Sequence, residues 1–518
     1  MNARRRAEVM AVTDTDVIIV GAGPTGLALA CGLAAAGTPV RVLDRAEGPA
    51  TTSRANILHA RGAEVLARLG AFDGLPEQAV APMGIRMHVR GRLITTMRFA
   101  PDEREVVQAL FVSQAAVEHR LRDRLAALGV EVEWGRTVET LDQDAHGVTV
   151  GLAGGGYARA AWLAGCDGSH STVRELAGIG FPGVPVVERF LLADVQADGI
   201  ADRQDSAGWL HRDGILMAMP MSDPSGNLWR LMADVPDDGR RLENDEIVRR
   251  FGELLPARAD ISGARFGETV WTSVFRIQRR LADDYRRGRV LLAGDAAHVH
   301  SPLGGQGMNT GIGDAENLAW KLALVARGAA SDTLLDTYAA ERRPAAADVL
   351  RRTTANTRLL VAEGRLARAV RDHVLVPLMN LPSVQHRATR IASQLSLSYR
   401  AGPLGGRGRA PRPGDRVRDR PVRRADGTSS TLTRELGPGW VMVGGTAGPH
   451  DRLLAAFGRA LPAAAVSAAA DEARDGGPAL LVRPDGHLFW RGTDPDDLQR
   501  RLHRLVPTGD IAPRRPAV

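Results

Sequence analysis

Short apolar runs alternate with longer periodic stretches along most of the chain. Residues 16–20 (DVIIV) read as a strand buried on both faces, 27–36 as an Ala/Leu helix stopped by Gly37, and 39–43 (PVRVL) as the next strand. Helices are expected at 59–69, stopped by Gly70, and at 115–128, stopped by Gly129. Strands follow at 130–134, near Val138 and Val148, and at 161–164, then a short helix at 173–177 with Ser171 or Thr172 as its cap. A further strand is expected at 290–293, a helix at 311–330 with Leu318, Leu322 and Val325 at helical spacing, and more helix from 334 to about 398. Strands alternating with helices predict an α/β domain around a parallel sheet.

The period changes to two in 186–275. Strands are expected at 190–195, 208–211, 215–220 and 228–234, separated by turn signals, and a hairpin at 85–99 turns on Arg90-Gly91-Arg92. These segments predict an antiparallel sheet inserted into the α/β domain. Alternation places Met217 and Met219 on one face, and His211 and Trp229 join them as candidates to face a substrate. Each of these side chains also suits a plain core position.

The domain organisation expected is 14–185 with 276–400, 85–109 with 186–275, a Pro/Gly/Arg-rich linker at 401–424, and a last segment at 425–518. In that segment, strands at 440–443, 479–482 and 487–490 and helices at 452–461 and 495–502 are expected around a turn, Arg483-Pro484-Asp485-Gly486. The linker is expected to isolate this segment, so that cofactor binding survives its removal. It contains no cysteine, which excludes thiol redox chemistry there.

Two glycine-rich turns fall where strands end. Gly21-Ala22-Gly23-Pro24-Thr25-Gly26 lies between strand and helix, and Asp44 stands at the end of the following strand, 18 residues after Gly26. Gly21 permits a tight turn, Gly23 lets backbone approach a pyrophosphate, Gly26 lets helix pack on strand, and Asp44 can accept ribose hydroxyls. The second turn, Gly304-Gly305-Gln306-Gly307, follows the strand at 290–293, with Asn309 as a possible helix cap. Asp167-Gly168 marks a third strand-end turn. Arg54, in a loop after the second strand, favours a flavin over a nicotinamide dinucleotide.

Composition narrows the function classes. The 518 residues carry a net charge of +7, but Lys321 is the only lysine and the arginines are interspersed with acids, so no nucleic-acid surface is expected. Two cysteines, Cys31 and Cys166, lie far apart and no metal-ligand spacing occurs, as in a reducing cytoplasm. The start, Met1-Asn2-Ala3-Arg4-Arg5-Arg6, is followed by Glu8, Asp14 and Asp16 instead of an apolar signal core. No stretch is long and apolar enough to span a membrane, so a cytoplasmic chain without membrane contact is expected.

Three motifs, GAGPTG at 21–26, CDGSHSTVR at 166–174 and GDAAHVHSPLGGQGMNTGIGDAENLAWKLA at 294–323, resemble those of single-component FAD monooxygenases of the aromatic-hydroxylase class. Arg54 and the pair Gln114…Glu118 extend the resemblance, which is strongest to hydroxylases of aromatic polyketides and to rifampicin monooxygenases. It implies a Rossmann-like FAD-binding domain of glutathione-reductase type, the inserted sheet as substrate domain, and a C-terminal thioredoxin-like domain without its dithiol. It also implies FAD contacts at Gly21, Gly23, Pro24, Thr25, Gly26, Asp44 and Arg45, with Arg54 and Gln114 at the ribityl and pyrophosphate region. Asp167 and Gly168 would serve both FAD and NADPH, Asp295 the ribityl chain, and Pro302, Gly305, Gln306, Gly307, Met308 and Asn309 the ring edge.

NADPH is then the reductant and O₂ the oxidant, and a flavin C4a-hydroperoxide delivers oxygen to an electron-rich phenol ring. No side chain is assigned a catalytic role, because the flavin supplies the chemistry. Baeyer–Villiger oxidation of a ketone, or a non-catalytic flavin-binding module, remain alternatives. The small aromatic substrate is unspecified, and a monomer or homodimer is expected.

Overall fold

The computed structural model describes residues 15–52, 55–80, 84–89, 91–98, 108–223, 225–237, 239–240, 242–300, 304–361, 364–424, 426–437, 439–444, 461, 465–468 and 478–505. Five strands of its first sheet run parallel, in the order Val290–Leu292, Tyr157–Gly165, Thr15–Val20, Val40–Leu43 and Val132–Glu133. Val17, Ile18 and Ile19 of the central strand are fully buried, as expected of a strand covered on both faces. Helices Pro24–Ala35 and Gln306–Ala326 pack on each other over this sheet. An antiparallel meander, Val138–Gln143 and Val148–Leu152, feeds the strand at Tyr157–Gly165.

The insert is an eight-stranded sheet with long central strands, Gly183–Asp198 and Arg265–Leu281. The hairpin strands Gly84–Val89 and Arg92–Arg98 form its edge. It is antiparallel except where Ser206–His211 runs parallel to Gly84–Val89. An amphipathic helix not expected from the sequence, Asn244–Ala259, covers one face by burying Ile247, Phe251 and Leu255 against Leu191, Trp229 and Leu231. The opposite face carries Phe190, Leu192, Met219 and Met232.

The C-terminal domain holds a six-stranded sheet in the order Ser429–Thr431, Pro421–Arg424, Ala465–Ala468, Val441–Val443, Ala479–Val482, Leu488–Gly492. Val441–Val443 is parallel to Ala465–Ala468 and antiparallel to Ala479–Val482. The helix expected at 452–461 lies outside the described residues, apart from Leu461.

The stretch 401–424 is not a free spacer. Tyr399 and Gly414 are joined backbone to backbone, Gly414 donates to Leu488, and Arg416 pairs with Glu64 of the first domain. The turn at 483–486, polar in composition, is among the most buried parts of the chain: Arg483 is 0 % and Asp485 1 % exposed. Arg483 donates through both Nη atoms to Glu341, at 2.8 Å each. Lys321 Nζ donates to the same carboxylate at 2.8 Å, and Asp485 accepts from Trp320 Nε1 at 3.2 Å and Asn317 Nδ2 at 3.1 Å. One ionic cluster therefore stitches the last domain to the helix Gln306–Ala326, and each charge is buried with a partner.

Candidate active site

The motifs converge because parallel strands deliver their carboxyl ends to one edge of the sheet. Val20, Leu43, Gly165 and Leu292 end adjacent strands; Gly21, Asp44 and Cys166-Asp167 follow the first three directly, and Gly294-Asp295 follow Leu292 after Ala293. Ligands of such sheets bind in the crevice outside these ends. The first turn is closed at backbone distance. A Cβ on Gly21 (φ 105°) would stand 2.3 Å from the Cys166 carbonyl oxygen, and one on Gly26 would stand 1.9 Å from that of Gly21. Gly23, the cap of helix Pro24–Ala35, instead faces open space. Asp44 braces the turn, its carboxylate accepting from Ala22 N–H at 2.6 Å and Ala46 N–H at 2.8 Å.

A cavity of about 1020 Å³ runs from this turn to the inserted sheet. It brings together Gly21, Gly23, Pro24, Thr25, Asp44 and Arg45 with Gln114, Asp167 and Gly168. Asp295, Gly305, Gly307 and Met308 border it from the second glycine turn, and Met217 and Met219 from the sheet. Gly26 lies behind the turn as a packing glycine. Arg54 and Pro302 lie outside the described residues.

Gln306 and Asn309 do not border the cavity. The helix begins at Gln306 on a left-handed Gly305 (φ 63°), so Asn309 falls inside the first turn and is not the cap. Its Oδ1 accepts from His59 N–H at 2.8 Å, and its Nδ2 donates to the carbonyls of Ile57 and Gly305 at 2.9 and 2.8 Å. Gln306 donates to the Ala392 carbonyl at 2.7 Å. Both amides fasten the turn to neighbouring segments. His59 does the same from Nε2 to the Gly304 carbonyl at 2.8 Å; burial lowers its pKa and keeps the ring neutral.

His211 and Trp229 are also excluded from the cavity wall. His211 sits at a hairpin end beside Asp213, 3.4 Å away, and Trp229 packs under the sheet against the helix Asn244–Ala259. Alternation identifies two faces of a strand but not which of them meets the cavity.

Asp167 accepts from Ser171 Oγ at 2.5 Å and Val173 N–H at 3.1 Å, and so fixes its own turn. Burial raises its pKa, partly offset by those donors. Beneath the second turn, Asp314 accepts from Gly294 N–H at 3.1 Å, pairs with His298 Nε2 at 2.7 Å and receives Arg342 Nε at 2.6 Å. Burial would raise the Asp314 pKa, but Arg342 and His298 hold it below the ordinary carboxylate range. Arg230, Trp271 and the helical wall at Arg371, Val376 and Met379 also border the cavity and were not candidates from the sequence.

Comparison with known proteins bears on this site directly. Residues 14–353 match the family model described as FAD binding domain, and residues 410–508 match the one described as aromatic-ring hydroxylase, C-terminal. The chain belongs to the FAD-dependent aromatic-ring hydroxylases. Among its relatives, the 12-dehydrotetracycline 5-monooxygenase/anhydrotetracycline 6-monooxygenase of Streptomyces rimosus is 37 % identical, with 92 % of this chain and 95 % of the relative covered. The rifampicin monooxygenase of Streptomyces venezuelae is 34 % identical, over 94 % of this chain and 98 % of the relative. Two solved hydroxylases share the architecture. The anhydrotetracycline hydroxylase of Streptomyces rimosus superposes with a TM-score of 0.78 at 33 % identity, covering 95 % of this chain and 99 % of that one. Aklavinone-11 hydroxylase, in a ternary complex with FAD and aklavinone, superposes with 0.79 at 26 % identity, covering 96 % and 100 %.

As in this hydroxylase family, the cofactor is FAD, and the chain's own geometry accommodates it. Open space over Gly23, at a helix N-terminus, suits a pyrophosphate, and a carboxylate stands at the next strand end. No helix among the described residues is long and apolar enough to cross a membrane.

Proposed function

We propose that this protein hydroxylates a polycyclic phenol of the aromatic polyketide kind, using FAD, NADPH and O₂. The observation that carries the proposal is one continuous cavity with a dinucleotide-binding turn at one end and an apolar sheet face at the other. Gly21 and Gly23 would receive the pyrophosphate, Asp44 the adenosine ribose and Asp295 the ribityl chain. Bound FAD would supply the redox chemistry, taking electrons from NADPH and passing one oxygen atom of O₂ to the substrate.

The chain contributes positioning and environment. Gln306 begins a 21-residue helix, so the unpaired N–H groups of its first turn favour negative charge beside Gly307 and Met308. Asn309 and Gln306 keep that turn in register with residues 57–59 and 392. Leu192, Met217, Met219 and Met232 form an apolar wall at the sheet end of the cavity, suited to an apolar ring system shielded from water. A cytoplasmic location fits the two buried, unpaired cysteines.

The test is a screen of polycyclic phenols for stimulated NADPH oxidation and oxygen uptake, with product mass. A gain of one oxygen atom is expected; stimulated NADPH use with no oxygenated product from any phenol would refute the proposal. At the ribityl end, Asp295→Ala is expected to weaken FAD by about 10-fold, about 1.4 kcal/mol, while the apoprotein melts as wild type. Asp295 sits in a single 3₁₀ turn at the cavity edge, and its exposed carboxylate is not part of the core. An unchanged FAD titration would count against that contact.

A further inference from the structure

The cavity face of the inserted sheet is mostly apolar; its polar members are Ser273, Arg276 and Gln278 on strand Arg265–Leu281, with Arg276 exposed and paired with Asp237 at 2.7 Å, and one buried ion pair. Arg230, on strand Leu228–Val235, stands directly opposite Asp194 on Gly183–Asp198. Its Nε and Nη2 donate to the two carboxylate oxygens at 2.8 and 2.7 Å, and the side chains are 1 % and 3 % exposed. Arg230 borders the cavity and Asp194 does not, so the acid holds the guanidinium from behind. Trp271, the register partner of Asp194, lies with its ring 5.8 Å from the guanidinium carbon. The strand's phase admits no alternative, because Trp229, Leu231 and Ala233 are committed to the core under the other face.

Fold stability does not account for this pair. A buried ion pair is commonly replaced by apolar side chains of similar volume at no loss of stability, and often with a gain. A guanidinium held in an apolar wall is instead suited to an anionic oxygen, which it meets with directional N–H donors. A second buried guanidinium, Arg371, borders the cavity from the helical side, but it is tied to its chain neighbour Asp372 at 2.7 Å.

We propose that Arg230, oriented by Asp194, receives an acidic oxygen of the aromatic substrate, a phenolate or enolate, and so selects polycyclic phenols that bind as anions. This rests on the hydroxylase reading above and names the substrate class of that site. A phenolate is also the more electron-rich ring, the form that an electrophilic oxygen donor attacks best. The substrate enters already ionised, so no base in the protein is needed to take its hydroxyl proton. Without a partner, such an anion would be costly to bury here.

The test titrates the FAD-loaded enzyme with polycyclic phenols and their O-methyl ethers, alizarin and its ether among them, and follows the flavin absorbance. Wild type is expected to prefer each phenol to its ether by about 10-fold or more, about 1.4 kcal/mol. The preference should grow as pH rises through the ionisation of the phenol. Arg230→Met alone leaves Asp194 buried without its partner and can fail to fold, so the deciding variant is the double substitution R230M/D194L, which removes both charges. It is expected to lose the preference to within about 2-fold and to show no pH trend. A preference kept by R230M/D194L, or absent from wild type, overturns the proposal. Preferential binding of phenols without oxygenated product would sink the hydroxylase reading and leave the role of Arg230 standing. Oxygenation with equal preference in both proteins would do the reverse.

Discussion

Replacing Arg483 by Ala is expected to destabilise the whole chain by about 3–5 kcal/mol, the usual cost of breaking a buried pair from one side. The loss should appear in the FAD-binding domain, although Arg483 belongs to the last domain. Glu341 sits on the long helix Asp336–Val361, and its carboxylate is shared by Arg483, Lys321 and Asn317. Without the guanidinium, Glu341 and Asp485 hold two negative charges against the single ammonium of Lys321, at essentially zero exposure. The neighbouring cluster Arg61, Glu64, Arg68, Glu316 and Arg416 would be loosened with it, because Arg61 also donates to the Asp485 carbonyl at 2.7 Å. Thermal melts followed by flavin release and by far-ultraviolet circular dichroism should both shift down together. Removing the chain beyond Arg424 should likewise cost FAD binding, the opposite of what an isolating linker predicts. An unaltered flavin-release midpoint in Arg483→Ala would contradict the account.

The same cluster fixes a pH dependence. Burial alone would raise the pKa of Glu341, but Arg483 and Lys321 hold it down at about 2, and Arg416 and Arg61 hold Glu64 at about 2 in the same way. Both lie below the ordinary value of 4.5. Between these values the unfolded chain binds more protons than the folded one. The stabilisation is therefore complete above 4.5 and is lost as pH falls towards 2. Denaturant midpoints measured across this interval should drop with acid in wild type, and less steeply in a Glu341→Gln variant.

Local patterns carried the architecture. Runs such as DVIIV, followed by a glycine-rich turn, and PVRVL, followed by Asp44, are nearly sufficient for the strand ends that build the cofactor site, because parallel strands put consecutive motifs on one edge. What the sequence hid was tertiary. Ile247, Phe251 and Leu255 have helical spacing, yet Pro256 and the surrounding turn signals mask the helix Asn244–Ala259. Arg483-Pro484-Asp485-Gly486 has the composition of a solvated turn, and only docking onto Trp320 and Glu341 makes it core. A lone lysine within the apolar helix stretch NLAWKLAL was the available hint of a buried counter-charge. Trp229 and Arg230 are adjacent in sequence and face opposite ways, so choosing the substrate face needed the register with Asp194.

Two single-methyl substitutions in the first turn are expected to separate folding from ligand binding. A Cβ at residue 26 would stand 1.9 Å from the Gly21 carbonyl oxygen and 3.2 Å from Cys166 Cβ, and neither the turn nor the strand behind it can yield. Gly26→Ala should therefore push helix Pro24–Ala35 off strand Thr15–Val20, lowering stability and abolishing FAD binding together. At residue 23 the protein itself offers no obstacle within 4 Å, and the backbone there (φ −75°, ψ −178°) is one that alanine adopts without strain. Gly23→Ala should leave the apoprotein melting as wild type. A pyrophosphate drawn to the bare N–H groups of Thr25 and Gly26 must pass over this position, so the added methyl should weaken FAD by about 10- to 100-fold, about 1.4–2.8 kcal/mol. Paired measurement of the apoprotein melt and of FAD affinity distinguishes the two. If Gly23→Ala bound FAD as tightly as wild type, the pyrophosphate would lie elsewhere, and the open space over Gly23 would be incidental.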